Sequence, residues 1–379
     1  MNARTFLILG GYGQTGRLIA RFLLAESDAH LVLAGRNLER AEQLANQLNR
    51  DFAGQRARAR KVDASSAQSL AAGLKAVDFL VVASSTARYA RKVAVAALTA
   101  GVDYLDVQYS QEKIGVLKAL AGDIERAGRC FITDAGFHPG LPAALVRYAD
   151  GCFDHLLVAY VSSLIRFDWR ELSLSPSTLE EFVSEMLEYE ACFYKDGLWQ
   201  KARLAGMLDS RKVDFGPLFG RQHVVPMMLG EMRSIPQMFS ALQQTGFYIS
   251  GFNWFVDWFV LPLGMFALWL SPRTALKPVS RLLFWGLQAF SRPPFVVILK
   301  LEARGEKDGS LREVELSLCH PDGYVFTAVP VVACLLQYLD GCAKKPGLWM
   351  MGHLVDPDRL LHDMQRMGIE VKSSTIKGG

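Results

Sequence analysis

Short apolar runs alternate with helical patterns along the first third of the chain. Thr5–Leu9, Leu31–Ala34 and Phe79–Ala83 are apolar, and between the first two runs side chains such as Leu18 and Phe22 recur at helical spacing. Apolar runs of this kind are typical of parallel strands, since helices cover both faces of such a sheet. The pattern predicts an α/β domain with a doubly wound parallel sheet.

The alternation continues and then changes. Strands are predicted at Asp103–Val107 and Cys130–Thr133, with helices before each of them. From His155 onward, strand-like runs are separated by long helical and irregular segments, which indicates a second domain of the α+β class. Amphipathic patterns in Val329–Leu339 and Pro357–Met367 predict closing helices that pack back on the first domain.

Chain length supports the same division. A chain of 379 residues, half of them apolar, exceeds the usual size of one hydrophobic core. We expect a first domain over residues 1–140, an inserted α+β domain over 141–325 and C-terminal helices over 326–379. The 42 basic and 38 acidic residues leave a net charge of +4 without a dense basic face, so we do not expect nucleic acid as a partner.

Cysteine usage and the N-terminus bear on location. The six cysteines lie far apart, with neither a Cys-x-x-Cys pair nor a histidine at zinc spacing, so we expect reduced thiols and no metal site. The N-terminus begins a strand within four residues and lacks the basic region and cleavage site of a secretory signal. We therefore expect a cytoplasmic location.

A glycine-rich turn separates the first predicted strand from the first predicted helix. It consists of Gly11, Tyr12, Gly13, Gln14, Thr15 and Gly16. A dinucleotide pyrophosphate needs backbone N–H donors at close range, so the turn must lack side chains at two positions and allow tight helix packing at a third. Gly11, Gly13 and Gly16 meet these demands. A flexible turn is the alternative, but the strand before and the helix after favour a Rossmann dinucleotide site.

The end of the second predicted strand indicates which dinucleotide binds. An acidic residue there would accept hydrogen bonds from a ribose 2′-OH, but this chain has Arg36 and Asn37. A guanidinium can clamp a 2′-phosphate, and Arg40 lies one helical turn further on. The predicted cofactor is therefore NADP. The alternative is that Arg36 only solvates the end of a loop.

Two further polar segments follow predicted strands. Asp63 comes after the third strand, where it either holds the adenine edge or caps the next helix. Ser84, Ser85 and Thr86 follow the fourth strand, where their hydroxyls either bond the nicotinamide half of the cofactor or cap a helix. Both alternatives stay open for each segment.

Motifs beyond the glycine turn are shared with a known family. Asp134–Pro142 resembles the Gly-Phe-Asp-Pro-Gly loop that closes the cofactor domain in saccharopine dehydrogenase-like reductases, and Tyr104–Asp106 resembles their Tyr-x-Asp. The other similar segments are Gly220–Pro226 with Glu231 and Pro236, Lys345–Trp349, Asp356–Asp358 and Gly368–Ile369. Together they span nearly the whole chain apart from a Trp-rich insert.

The resemblance implies an architecture and a reaction. It implies a cofactor domain completed by C-terminal helices, an inserted domain with substrate and dimer contacts, and a homodimer that transfers hydride from NADPH to a small-molecule substrate. Better-known members reduce imines to saccharopine, carboxynorspermidine and related amines, while distant relatives reduce carbon–carbon double bonds of lipid intermediates. His138 stands where many members have aspartate, which weakens any transfer of their amino-acid substrates to this chain.

Three residues are candidates for catalysis. Hydride transfer leaves charge that a nearby acid must neutralise, and Asp106, Tyr109 and His138 lie on loops at predicted strand carboxyl ends. His138 is the first choice because histidine changes charge near neutral pH; a structural histidine bonded to backbone is the alternative. Asp106 either orients a partner or satisfies backbone N–H groups.

An apolar, Trp-rich insert covers residues 247–290. From Phe247 to Leu270 its one charged residue is Asp257. Its tryptophans and the basic residues at its end are Trp254, Trp258, Trp269, Trp285, Arg273, Lys277, Arg281 and Arg292. The uninterrupted apolar run is too short to span a bilayer. Three interpretations stay open: a buried core or dimer interface, a tunnel for an acyl-type substrate, and a helical hairpin in peripheral contact with the inner face of the membrane.

The leading functional hypothesis is an NADPH-dependent oxidoreductase that transfers hydride to an imine or a similar unsaturated, apolar substrate. One alternative is an enoyl reductase that acts on a lipid intermediate at the membrane. The other is a catalytically silent NADP-binding sensor or scaffold. Turnover of NADPH separates the first two from the third.

Overall fold

The chain begins with the predicted alternation of strands and helices. In the computed structural model, which describes residues 3–171, 179, 183 and 190–377, the strands are β1 (Thr5–Leu9), β2 (His30–Gly35), β3 (Ala57–Lys61), β4 (Phe79–Val82), β5 (Asp103–Asp106) and β6 (Cys130–Thr133). The helices are α1 (Gln14–Glu26), α2 (Leu38–Asp51), α3 (Ala67–Gly73), α4 (Ala90–Thr99), α5 (Gln111–Ala119), α6 (Ala121–Arg126) and α7 (Leu141–Gly151). The interiors of β1, β2 and β4 are buried, as expected for strands covered on both faces.

The middle of the chain is rich in longer strands. They are β7 (His155–Arg166), β8 (Cys192–Lys195), β9 (Leu198–Lys201), β10 (Arg211–Asp214), β11 (Arg221–Met227), β12 (Gln244–Ser250), β13 (Val296–Lys307) and β14 (Ser310–His320). The helices here are α8 (Ile235–Met238), α9 (Leu261–Leu270) and α10 (Pro272–Phe290), and a π-helical turn, Val256–Val260, leads into α9. The strands predicted around 156–161, 295–301 and 314–318 are therefore present and longer than their apolar runs.

The chain closes with α11 (Gly323–Leu339), β15 (Gly347–Met350), α12 (Met351–Leu354), α13 (Pro357–Arg366) and β16 (Glu370–Lys377). Side chains that cap helices explain several of the helix starts. Asn37, Ser66, Ser110 and Asp356 each accept a hydrogen bond from the backbone N–H three residues further on, at the beginnings of α2, α3, α5 and α13. These polar residues therefore set where the helical periodicity begins.

The first sheet is parallel throughout and has the strand order β15-β6-β5-β4-β1-β2-β3. The order reverses between β1 and β4, because the chain runs outward to β3 from β1 and then returns to β4. In open α/β sheets, ligands bind outside the carboxyl ends of the strands at such a reversal. The predicted doubly wound fold is confirmed, and it places the ligand crevice beside the glycine turn that follows β1.

The second sheet is mixed and has the order β10-β11-β12-β7-β13-β14-β16, with β8 beside β12 and β9 beside β8. Its central strand β7 pairs in parallel with β12 and antiparallel with β13. This sheet, with helices separate from the strands in sequence, agrees with the predicted α+β class.

Two compact units divide the chain. The first domain comprises Met1–Arg147 and Tyr324–Ile369 and holds the parallel sheet; the second comprises Tyr148–Gly323 and Glu370–Gly379 and holds the mixed sheet. The prediction that residues 326–379 form helices is wrong for Glu370–Lys377, which form strand β16. This strand pairs antiparallel with β14 from Arg312 to Cys319. Pairing satisfies the edge of β14, which would otherwise present unpaired backbone groups.

Within the described ranges, no helix combines the length and apolar character needed to cross a membrane.

Candidate cofactor and catalytic site

The glycine turn is closed by backbone hydrogen bonds. The N–H groups of Gly10 and Gly11 donate to Ala34 O over 2.8 and 3.3 Å, and the N–H of Gly13 donates to Gly10 O over 2.9 Å. A Cβ on Gly16 would lie 2.2 Å from Gly10 O, well inside contact distance. The turn and α1 therefore pack so closely that a side chain at position 16 would force the backbone apart, which is the predicted reason for a glycine there.

The N-terminus of α1 suits a phosphate. Gly13 is its N-cap residue, no side chain caps the helix, and its first turn carries no acidic residue. Helix N-terminal N–H groups and the positive end of the helix dipole both attract anions. The turn from Gly11 to Gly16 therefore fits the pyrophosphate of a dinucleotide.

Tyr12 connects the turn to the end of β2. Its hydroxyl accepts a hydrogen bond from Asn37 N over 3.1 Å, and a Cβ on Gly35 would lie 2.5 Å from its ring. The guanidinium of Arg40 lies 5.6 Å from the centre of the same ring. Arg36 is exposed beside this contact. Two cations therefore stand at the carboxyl end of β2, where a 2′-phosphate is expected.

Asp63 does not cap a helix. Its carboxylate accepts hydrogen bonds from the backbone N–H and hydroxyl of Ser65, over 2.9 and 2.8 Å, whereas Ser66 caps α3. The hydrogen bond from the Ser65 backbone is the main reason that the pKa of Asp63 is lowered. The helix-capping interpretation is thus wrong, and an ionised carboxylate stands in a turn after β3.

The hydroxyl residues after β4 lie beside the glycine turn. A Cβ on Gly10 would lie 2.7 Å from Ser84 Cβ, and Ser84 Oγ is 3.1 Å from Thr86 Oγ1. The Gln108 side-chain amide donates to Thr86 Oγ1 and to Ser84 O. Ser85 is exposed. Thr86 is the N-cap residue of a 3₁₀ turn, Ala87–Tyr89, that leads into α4, but its side chain makes no capping hydrogen bond. The Thr86 hydroxyl is therefore not used as a cap.

A buried lysine that sequence reasoning missed joins the ends of β5 and β6. Lys113 Nζ lies 2.6 Å from Asp106 Oδ1 and 2.9 Å from Asp134 Oδ1, and it also donates to Gln108 O. The side chains of Lys113 and Asp106 are fully buried. Three acceptors therefore match the three donors of the ammonium group.

The charges of this cluster depend on one another. Burial acts to lower the pKa of Lys113, but the carboxylates of Asp106 and Asp134 outweigh it, so that the pKa is raised and the amine stays protonated. Burial raises the pKa of Asp134. Asp106 Oδ2 also accepts a hydrogen bond from Thr133 Oγ1 over 2.8 Å. Asp106 Oδ1 also accepts a hydrogen bond from Gln108 N over 3.3 Å, so the carboxylate both holds neighbouring side chains and satisfies a backbone N–H group.

The loop with His138 is tightly folded. Gly136 and Gly140 have φ values of 154° and 124°, and a Cβ on Gly140 would lie 2.5 Å from Gly136 O. The Nε2 atom of His138 is enclosed, and burial lowers the pKa of the imidazole to about 4. His138 is therefore neutral at pH 7, which removes the charge change that made it the first choice as a proton donor.

The third candidate for catalysis, Tyr109, lies half-buried in the β5–α5 loop.

The structure brings most of the predicted site residues to one edge of the parallel sheet. The glycine turn, Ser84 and Asp106 lie at the carboxyl ends of the neighbouring strands β1, β4 and β5. Arg36 and Asp63 follow β2 and β3 on the other side of the reversal. This arrangement is that of a dinucleotide crevice whose adenosine half lies toward β2 and β3.

The sequence of the first domain matches a known protein family. Residues 6–128 match the family model of the saccharopine dehydrogenase NADP binding domain. The first domain is therefore similar to the NADP binding domain of saccharopine dehydrogenase. This confirms the predicted resemblance and NADP as the predicted cofactor.

A solved structure extends the fold likeness over the whole chain. Apo saccharopine dehydrogenase (L-Glu forming) from Saccharomyces cerevisiae is 16% identical, with a TM-score of 0.70 over 99% of this chain and 100% of that one. At this identity the likeness concerns the fold. GenD2 from gentamicin A biosynthesis, in complex with NAD, is 13% identical over 100% of this chain and 97% of that one, but its TM-score of 0.44 is too low to establish a shared fold. No curated protein matches the chain.

Replacing Lys113 with Met should destabilise the protein by about 3–5 kcal/mol, because it leaves two buried carboxylates without their cation. Urea unfolding at neutral pH measures the change. Lys118→Met, an exposed lysine of the same helix, is the matched control. Equal stabilities of the two variants would contradict the role of the buried cluster.

His138 should make stability depend on pH. The unfolded chain binds a proton near pH 6.5 but the folded histidine does so only near pH 4, so stability present above pH 6.5 is lost as the pH falls towards 4. The loss amounts to about 3 kcal/mol. The measurement is the difference between the unfolding free energies at pH 7 and pH 4. For His138→Gln this difference should be smaller than for the parent by about the same amount. For His30→Gln, an exposed control, it should equal that of the parent.

Proposed function

We propose that the chain is an NADPH-dependent reductase that transfers hydride to an imine carbon or to a similar unsaturated, apolar acceptor. The observation that carries the proposal is the crevice between β1 and β4. There the uncapped N-terminus of α1, the exposed Arg36 and the hydroxyl of Ser84 follow one sheet edge, within a domain of NADP-binding type.

Each group of this edge has a role toward the cofactor. The N–H groups at Gly11–Gly13 and the start of α1 would hold the pyrophosphate, and Arg36 the 2′-phosphate. Ser84 and Thr86, beside the turn, would bond the nicotinamide ribose or phosphate oxygens. The bound cofactor supplies the hydride; the chain positions it.

The protonation of the candidate catalytic residues favours an imine. An iminium carbon accepts hydride and becomes a neutral amine without a further proton, whereas hydride addition to a C=C bond requires a proton donor for the second carbon. His138 is neutral at pH 7, and Asp106 is committed to Lys113 and Thr133.

Reduction of an enoyl lipid is the second candidate, favoured by the large exposed apolar surface of the Trp-rich insert. The two candidates separate in one assay. The purified chain and NADPH are supplied with keto acids plus amines, with preformed cyclic imines and with enoyl lipids, and loss of NADPH absorbance is followed.

We expect turnover with an imine. Turnover with enoyl lipids alone would instead support the second candidate. Tight NADPH binding without turnover across the whole panel would contradict a reductase and leave a sensor or scaffold.

Arg36→Asp should weaken NADPH binding about 30- to 100-fold, because hydrogen bonds to a charged group contribute about 1.5–3 kcal/mol and the new carboxylate repels the 2′-phosphate. NADH, which lacks that phosphate, should bind nearly as before. Titration calorimetry with both cofactors measures the ratio, and Arg50→Asp, an exposed arginine of α2, is the control. Equal weakening for NADPH and NADH would refute the assignment.

A further inference from the structure

The helical hairpin Trp254–Phe290 has one side packed on the protein. Val256, Val260 and Leu268 are buried at intervals of four or eight residues, and Gly264 completes this stripe. A Cβ on Gly264 would lie 2.9 Å from Val279 Cγ1, so α9 lies close against α10. The hairpin is thus held as a unit that presents its other side outward.

That other side, which we call the Trp258 face, is apolar and exposed. Each of its side chains is more than half exposed: Trp254, Trp258, Phe259, Leu263, Met265, Phe266, Trp269, Leu270 and Trp285. Trp258 and Trp269 reach 73% and 76%. The aromatic rings alone expose on the order of 700 Å². Monomeric proteins rarely expose a contiguous apolar patch larger than a few hundred Å².

The exposure removes two interpretations for this face, a buried core and a substrate tunnel. Side chains of this face neither fill a core of the chain nor line an enclosed tunnel, because most of their surface meets solvent. An exposed apolar face of this kind is typical of a site that binds an external apolar surface.

The charges around the Trp258 face are mostly basic. Asp257 lies beside the face and accepts a hydrogen bond from Phe252 N, whereas from Trp258 to Pro294 the sequence has four basic residues and no Asp or Glu. Lys277 and Arg281 are exposed on α10, eight and four residues before Trp285, so they share its side of the helix. Within the described part of the chain, Lys277 and Arg281 form no ion pair.

The charge distribution distinguishes a lipid surface from a second copy of the chain. A two-fold interface sets the same patch against itself, so the basic residues of both copies would approach one another without a counter-charge. Anionic headgroups above an apolar layer match both the cations and the rings, and tryptophan is enriched at that level of a bilayer.

We propose that the Trp258 face binds the surface of an anionic lipid bilayer, with its aromatic side chains at the level of the headgroups and acyl-chain ends and with Lys277 and Arg281 on the anionic phosphates. This is the binding mode of helices that lie in the membrane interface. It does not depend on the reaction that the first domain supports.

The test uses the purified full chain without cofactor and sedimentation with vesicles. Vesicles of phosphatidylcholine with one quarter phosphatidylglycerol should bind the chain far better than phosphatidylcholine alone, and added salt should weaken binding. Equal recovery in the supernatant with both kinds of vesicle would overturn the proposal.

Two pairs of variants test the face itself. Trp258→Gln/Trp269→Gln should bind phosphatidylglycerol vesicles at least about tenfold more weakly, because binding scales with buried apolar area. Leu198→Gln/Leu218→Gln changes two leucines of the second domain that are 69% and 76% exposed outside the face, and it should bind as the parent does. Equal loss in both pairs would contradict a specific face.

Lys277→Gln/Arg281→Gln should bind phosphatidylglycerol vesicles about fivefold more weakly for each charge removed. Lys212→Gln/Arg221→Gln, elsewhere in the second domain, should bind as the parent does.

Sedimentation equilibrium of the same proteins without lipid tests whether the face binds a second copy of the chain. The parent could be a dimer that becomes a monomer when both tryptophans are replaced, and it could fail to bind vesicles. These two results together would show that the face binds a second chain and not a lipid surface, and they would overturn the proposal.

Discussion

The Lys113 ammonium is the constraint on which the candidate site depends. It is held without solvent between the carboxylates of Asp106 and Asp134, which end or follow the neighbouring strands β5 and β6. It also binds Gln108 O, and the Gln108 side chain continues to the segment after β4. Taking such charges out of water is costly unless each has a partner, so the loops that supply the partners are held together.

This network and the glycine turn meet at the same end of the sheet. Ser84, which contacts the turn at Gly10, also accepts the hydrogen bond from Gln108 through its carbonyl oxygen. The backbone that would meet the cofactor is therefore braced from one side by buried charge and from the other by close packing of glycines. Such bracing keeps donors in place for a ligand that carries its own reactivity.

Sequence patterns predicted the features that neighbouring residues determine, and they did not predict those that depend on residues far apart in the chain. The turn from Gly11 to Gly16 could be predicted because its backbone demands appear in adjacent residues. Lys113 could not, since a lysine in the first turn of a helix usually faces water, and its partners come from two other segments. One signal was available: Lys113 lies on the same helical side as Leu117, a buried position. The low pKa of His138 and the pairing of β16 depend likewise on the folded surroundings.

The proposed function depends on NADP binding along the carboxyl edge of the parallel sheet, with its 2′-phosphate at the end of β2. A crystal structure of the chain with NADPH tests this binding mode most directly. We expect the pyrophosphate on the N–H groups of the turn at Gly13, the 2′-phosphate on Arg36, and the nicotinamide half beside Ser84. A dinucleotide bound away from the turn, or with its 2′-phosphate turned to solvent far from Arg36, would contradict it.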